Sequence, residues 1–391
     1  MRSVFGNRFG SGRRSRLAIL FGAALALCLL VTACGGSSSS SDGTSGSSST
    51  PAEANEGETA PTSSKSGEYE DLSGTTITYL GFGGITDETM DKAWFKPFEE
   101  ETGAKVVMES PTNYAKIQAQ VESGAVSYDL VDGDAFVMDP KCGEEWEEMN
   151  VPNLKNVAEL YQPKSKCTGP DYVYSYIIGY SEKEFPNGGP ENCEDFFDTQ
   201  KFPGKRQIWG YYYGGPPECA AVAAGADAKN PYPLDTEKVI DKVEGAKGEL
   251  SVYETPSQAA DAMQNNDVSM GIYTTRMMVE AQNLGAEWGI AHGWASTASG
   301  TFGIPKGAPN AEAAEELLNY IYDPENNRRF YEELPAYGSP EGFVPPQAKK
   351  LDPWLVSGSK EILGAGSVVD WTWWAENDAT FSEQWESAIT G

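Results

Sequence analysis

Two carboxylates, Asp132 and Asp134, follow the apolar run Tyr128-Asp129-Leu130-Val131, and three phenols, Tyr211, Tyr212 and Tyr213, stand between Gly210 and Gly214. Carboxylates at the end of a buried strand can receive an ammonium through charge-assisted hydrogen bonds, or cap the helix that follows. Phenols in a glycine-bracketed turn can face a ligand, or cover the edge of a domain. Alternation along an extended segment would send Tyr211 and Tyr213 one way and Tyr212 the other. Glu218 opens a helix, where the macrodipole favours a negative charge with or without a ligand. Catalytic constellations are scarce. His292 is the only histidine, which excludes a two-histidine zinc motif, and there is no Gly-x-Ser-x-Gly elbow and no phosphate-binding Gly-x(4)-Gly-Lys-Ser/Thr loop. A secreted hydrolase built on paired carboxylates is the one enzymatic alternative. These residue types predict binding rather than catalysis, with no cofactor and no metal.

The elements that must position these groups alternate strand and helix. A β-rich run at residues 75–80 stops at Gly81-Phe82-Gly83-Gly84, and Met90, Trp94 and Phe98 recur at four-residue spacing in the helix that follows, capped by Thr86 or Asp87. Pro97 predicts a bend or restart in that helix. A strand at 105–108, a helix capped by Asn113 and closed by Gly124, and a strand at 128–131 complete a strand-helix repeat, the signature of an α/β domain with a parallel sheet. Ligands bind beyond the carboxyl ends of such strands, which points at residues 81–85, Gly84 included, and 132–136. A second α/β unit is expected from about 180 to 294, then a return strand at 302–305 and an amphipathic helix at 311–322. About 320 residues exceed what one core usually holds, so two lobes are expected.

The beginning of the chain sets its compartment. Five arginines between Arg2 and Arg16 precede an apolar run of 15 residues, 17–31, which is short for a membrane span and reads as an export signal. Val31-Thr32-Ala33-Cys34 resembles the lipobox of bacterial lipoproteins, which implies lipidation of Cys34 and cleavage before it. Removal of residues 1–33 takes away five arginines and no acids, moving the formal charge from −29 to −34. So acidic a chain, with no basic cluster after the signal, is not expected to bind nucleic acid, and its membrane contact would be through the N-terminal lipid only. Residues 34–70 are Ser-, Gly- and Pro-rich and predict a disordered tether. Beyond Cys28 and Cys34 the cysteines are Cys142, Cys167, Cys193 and Cys219, without the close spacing of a zinc ribbon. An oxidising compartment predicts two disulfides with three possible connectivities. Cys142 with Cys167 and Cys193 with Cys219 are favoured because each closes a short loop.

Several segments together resemble the solute-binding proteins of ABC importers, in particular the spermidine/putrescine (polyamine) branch. They are residues 93–103 (AWFKPFEEETG), 114–124 (YAKIQAQVESG), 201–206 (KFPGKR), 303–310 (GIPKGAPN) and 373–377 (WWAEN), in the family's order. The resemblance implies a two-lobed periplasmic-binding-protein fold of type II, each lobe a mainly parallel sheet flanked by helices. Lobe 1 would comprise residues 71–178 and 299–345 and lobe 2 residues 179–298, with C-terminal helices at 346–391 packing across both. It also implies a ligand cleft between the lobes, a permease with its ATPase as partners, and a monomer on the outer face of the cell membrane.

By the same resemblance Tyr273, Tyr337 and either Trp371 or Trp373 fall at aromatic cleft positions, and Arg276 is a cation at the cleft. The chain departs from the polyamine pattern in two places. Trp209 to Glu218 carry tyrosines where relatives have an acidic pair, and Ala298-Ser299-Gly300 stands where they have a tryptophan and an aspartate. A small amine of the polyamine kind is therefore expected. The alternatives are an ω-amino acid, should Arg276 point inward and bind a carboxylate, ferric iron held by tyrosines, or a sensor that presents its solute to a receptor.

Overall fold

The computed structural model describes residues 69–390. The expected export signal, Cys34 and nearly all of the tether lie outside these residues. The ring of Tyr69 packs on Tyr320 at 4.9 Å.

The described residues form nine strands: β1 (Thr76–Leu80), β2 (Lys105–Glu109), β3 (Leu130–Gly133), β4 (Thr168–Ser181), β5 (Arg206–Trp209), β6 (Leu250–Tyr253), β7 (Met270–Thr274), β8 (Trp288–Gly303) and β9 (Ser367–Val368). They build a mixed sheet in the order β2-β1-β3-β8-β4-β7-β5-β6, with β9 also on β8. Strands β2, β1 and β3 are mutually parallel, as are β7, β5 and β6. The sequence leads one to expect two separate, mainly parallel sheets. Instead the long strands β4 and β8, antiparallel to each other, sew the two parallel sets together. The expected lobe boundaries near 178 and 298 thus fall inside strands. These two strands cross between the lobes and form the hinge.

Direction along the hinge positions the site. The end of β3 lies level with the start of β4 through their shared partner β8, where Gly133 and Pro170 both face Thr301. The end of β7, Thr274, pairs with Tyr176. The carboxyl ends of the parallel strands of both lobes therefore face each other across residues 171–175 of β4, where ligands of such sheets sit.

Local sequence explains the helices. Asn113 caps Tyr114–Ser123 by accepting from the Lys116 N–H at 3.0 Å, and Gly124, in the left-handed region at φ 66°, ends it. Pro97 lies at the start of Lys96–Thr102, after a wider π-turn at Asp91–Phe95 that absorbs the missing hydrogen bond. Lobe 1 buries Ile77, Trp94, Phe98, Phe302, Leu317 and Phe330, and lobe 2 buries Phe196, Ile208, Val239, Trp294, Trp374 and Trp385. The C-terminal helix Trp371–Thr390 packs its interior tryptophans into lobe 2, while Trp371 at its start stacks on Phe136, after β3, at 5.6 Å. Among the described residues no helix is long and apolar enough to cross a membrane.

Disulfides join Cys142 to Cys167 and Cys193 to Cys219, at sequence separations of 25 and 26. The second ties the helix Cys193–Phe197 to Pro216–Ala223. Replacing both Cys193 and Cys219 by alanine is expected to lower stability by about 3 kcal/mol, because a loop of this size loses that much closure entropy from the unfolded chain. Urea unfolding under oxidising conditions measures it, and an unchanged midpoint would contradict it.

Candidate functional site

A bulge in the hinge creates the centre of the site. The β4–β8 register shifts between Pro170 and Val173, which leaves Asp171 and Tyr172 outside the ladder. Bulges of this kind re-aim a side chain. Asp171 turns onto β8 opposite Gly300, where a Cβ would stand 2.3 Å from its Oδ2. Gly300 is thus the space that the Asp171 carboxylate fills. Asp171 brings a carboxylate from β4 to the Ala298-Ser299-Gly300 segment of β8, which carries none of its own.

Asp132, near the end of β3, lies opposite Phe302 of β8, two residues from Gly300 and so on the face that Asp171 occupies, and both acids are buried. The Tyr79 hydroxyl on β1 donates to Asp132 Oδ2 at 3.3 Å. Asp87, in the helix Gly84–Met90, accepts from the Gly83 N–H through Oδ2 at 2.9 Å. Among the described residues one oxygen on each acid has no hydrogen-bond partner: Asp87 Oδ1, Asp132 Oδ1 and Asp171 Oδ2. Buried carboxylates without a counter-ion resist ionisation. Burial pushes Asp87 up to about 6. Asp171 is pushed up to about 7 by burial, against the opposing hydrogen bonds with Asp132 and the Tyr172 N–H. Asp132 is held well above the ordinary carboxylate range by burial and then by the charge of Asp171.

Asp134 lies two residues beyond Asp132 and links the lobes. Its Oδ2 accepts from Tyr114 of lobe 1 at 2.8 Å and from Tyr213 of lobe 2 at 2.9 Å. Burial raises it to about 6, against these two phenols. Tyr213 also packs on Phe136 at 4.9 Å and on Trp371 at 6.0 Å.

Aromatic rings complete the wall. Tyr172, Tyr174 and Tyr176 alternate along β4, and Tyr172 lies 4.5 Å from Tyr337 and 6.2 Å from Tyr174. The Gly214-Gly215 backbone rests on Tyr176, where a Cβ at Gly215 would come within 2.6 Å of the ring. Arg276, at the start of Thr275–Asn283 after β7, has a side chain only 12% exposed. Its Nη1 donates to Glu280 Oε2 at 2.8 Å, and its Nε is buried without a partner. Its charge acts on the Tyr337 phenol, opposing the upward push of burial. Tyr337 in turn shares a 3.2 Å hydrogen bond with Thr86. Carboxylates, tyrosine faces and one guanidinium therefore converge on the gap between the lobes.

Two cavities of about 530 and 570 Å3 lie beside the hinge rather than at the carboxylates. Ser299 and Thr301 line the larger while Gly300 between them faces Asp171, so strand alternation puts that cavity behind β8.

Of the residues expected at the site, the structure brings together Asp132, Asp134, Tyr213, Arg276, Tyr337 and Trp371. Others lie elsewhere. Gly84 opens its helix in an exposed position, at φ 73°. Tyr211 is 47% exposed and stacks on Trp209 at 5.4 Å. Glu218 is buried, and its oxygens are taken by the Gly215 N–H at 2.6 Å, by Tyr232 and by the Trp374 indole at 3.2 Å, which makes it an internal cap of its own helix. Tyr273 sits in the lobe 2 core and donates to Gln207 Oε1 at 2.8 Å. Trp373 packs against Tyr232 and Phe381 rather than Tyr213. Sequence reasoning missed Asp87, Asp171 and the three β4 tyrosines. The alternation Tyr172-Val173-Tyr174-Ser175-Tyr176 is a period-two signal that could have found the three tyrosines, whereas Asp171 is out of phase with them and reaches the site only through the bulge.

Known proteins share this architecture. A γ-aminobutyric acid-binding protein of Pseudomonas aeruginosa is 25% identical over 321 residues, which cover 80% of this chain and 90% of the relative. The crystal structure of an ABC transporter substrate-binding protein from Bradyrhizobium japonicum superposes with a TM-score of 0.71 at 25% identity, covering 81% of this chain and all of that one. A spermidine/putrescine transporter substrate-binding protein from Streptococcus pneumoniae is more distant, with a TM-score of 0.61 and 15% identity over 81% of this chain and 100% of that one. Residues 93–353 match the bacterial extracellular solute-binding protein family. With that match spanning most of a two-lobed fold whose facing strand ends enclose a charged, aromatic cleft, the chain belongs to the bacterial extracellular solute-binding proteins.

Proposed function

We propose that this chain is the solute-capturing component of an ABC importer and that its solute is a small ω-amino acid of the γ-aminobutyrate kind. The observation that carries this is the pairing, in one cleft, of buried carboxylates without a counter-ion and a nearly buried arginine with an unpartnered Nε. An ammonium satisfies the first and a carboxylate the second, each through charge-assisted hydrogen bonds. The tyrosine faces of β4 and Tyr337 would pack the methylene chain between them. The P. aeruginosa relative named for γ-aminobutyric acid supports the same choice. A diamine, the ligand first expected from the sequence, is the second reading, favoured by acids that outnumber the single arginine.

Capture would proceed by closure of the lobes about β4 and β8, with Asp134 and Tyr213 meeting across the gap, and delivery by docking on a permease with its ATPase. Anchoring through a lipid on Cys34 and action as a monomer outside the cytoplasmic membrane complete the proposal. Catalysis has no part in it.

Calorimetry of the purified protein with γ-aminobutyrate, putrescine and butyrate tests the ligand. Only γ-aminobutyrate is expected to bind tightly, because butyrate leaves the acids unpaired and putrescine places an ammonium against Arg276. Putrescine binding more tightly than γ-aminobutyrate would transfer the proposal to the diamine. A ligand at a hundred times its Kd also adds about 2.7 kcal/mol of stability, which a thermal-shift assay detects.

A further inference from the structure

We propose that Asp132 and Asp171 hold one proton between them in the empty protein and exchange it for the ammonium of the ligand, so that capture of a primary amine releases a proton. This deepens the amine-binding reading above and rests on it for the ligand. The geometry is a pair of buried acids on one face of the sheet, Asp132 opposite Phe302 and Asp171 over Gly300 two residues away, each with an oxygen that no group among the described residues satisfies. Two carboxylates in that position cannot both ionise in a desolvated site, and a shared proton is the low-energy state.

The surroundings offer little positive charge, and the two further acids there, Asp87 and Asp134, are raised by burial only to about 6. Facing the pair are Tyr79 from β1, Asp87 from the first helix, Asp134 from the end of β3, and Tyr172 and Tyr174 from β4. Tyr322 and Tyr331 from the helical segment 311–333, and Tyr337 after it, close the far side. Burial raises every one of these phenols, so they stay neutral through the physiological range. Arg276 acts on Tyr337, a phenol that Asp171 and Asp132 also act on.

A primary ammonium carries three N–H donors, and three orphan oxygens await donors: Asp87 Oδ1, Asp132 Oδ1 and Asp171 Oδ2. Its arrival supplies the counter-charge that lets both members of the pair ionise. The proton leaves to solvent, the ammonium takes its place, and no covalent bond changes. A quaternary amine has no N–H and could not make this exchange.

Two measurements test the proposal. Titration calorimetry with γ-aminobutyrate in phosphate and in Tris, buffers of different ionisation heat, counts protons. The wild type is expected to release close to one proton per ligand near pH 6 and to bind about tenfold more weakly there than at pH 7. Tight binding with no release and no pH dependence between 6 and 8 would overturn the exchange. The second measurement needs no ligand. Carboxyl carbon resonances of 13C-aspartate-labelled empty protein are expected to show one acid of the pair still protonated at pH 6, and in Asp171→Asn the remaining acid is expected to titrate lower, since it loses the charge of its neighbour. Both acids titrating near pH 4 would refute proton sharing even if γ-aminobutyrate binds. If γ-aminobutyrate does not bind but the protonated acid is present, the choice of ligand fails and the shared proton stands. Should Asp171→Asn not fold, Asp132→Asn serves in its place.

Discussion

Replacing Arg276 with alanine is expected to weaken γ-aminobutyrate binding by on the order of 2 to 5 kcal/mol, the cost of removing one partner of a buried, hydrogen-bonded charge pair. Putrescine binding is expected to stay level or improve, since the same substitution removes a like charge from the cleft. The position of the guanidinium makes this a test of ligand polarity. It is half-committed, with Nη1 on Glu280 and Nε buried without a partner, and it acts on Tyr337 rather than on bulk solvent. Calorimetry on both proteins with both ligands reads the result. Unchanged γ-aminobutyrate affinity in Arg276→Ala would place the ligand carboxylate elsewhere or remove it.

Replacing Asp171 with asparagine is expected to move binding and stability in opposite directions. Binding of any primary amine should fall by at least a hundredfold, because an amide leaves the ammonium facing one fewer carboxylate. Stability of the empty protein should rise. Burial pushes the Asp171 carboxyl in the fold from an ordinary 3.8 up to about 7. Between those values the folded chain holds a proton that the unfolded chain has already lost, so this group's contribution to stability is present at low pH and is lost as pH rises through 7. Asparagine never ionises and escapes that loss. The gain is on the order of 2 to 4 kcal/mol at pH 8, since each pKa unit is about 1.4 kcal/mol. Below pH 4 the two proteins should unfold alike. Urea unfolding at pH 8 and pH 4 measures the difference, and a variant less stable than wild type at pH 8 would show that Asp171 contributes to folding rather than opposing it. A site that weakens its own fold is the usual cost of keeping charged groups unpaired for a ligand.

Local signals account for much of what the sequence could show. Asn113 and Gly124 delimit their helix as expected because a cap needs only the residue and its own backbone neighbours. Asp132 and Asp134 were legible as site candidates because a carboxylate beyond a parallel strand lies at a predictable place in an α/β sheet. Glu218 misled because its acceptor role is set by Gly215, Tyr232 and Trp374, the last of these 156 residues away. Tyr273 misled similarly, since its partner Gln207 lies on a neighbouring strand.

The sequence by itself determined the α/β class, the expectation of two lobes, the ends of the helix Tyr114–Ser123 and the even set of four late cysteines, whereas the first helix begins at Gly84, ahead of the expected cap at Thr86 or Asp87. Each of these follows from periodicity, capping or composition, which act over a few residues or over the whole chain. Only the tertiary structure decided that Asp171 would meet Asp132. That contact depends on a bulge in β4, on pairing with β8 some 130 residues further along the chain, and on a glycine at 300 that leaves room for the carboxylate. Register between distant strands has no local signature, since a shift of one residue turns every side chain to the other face.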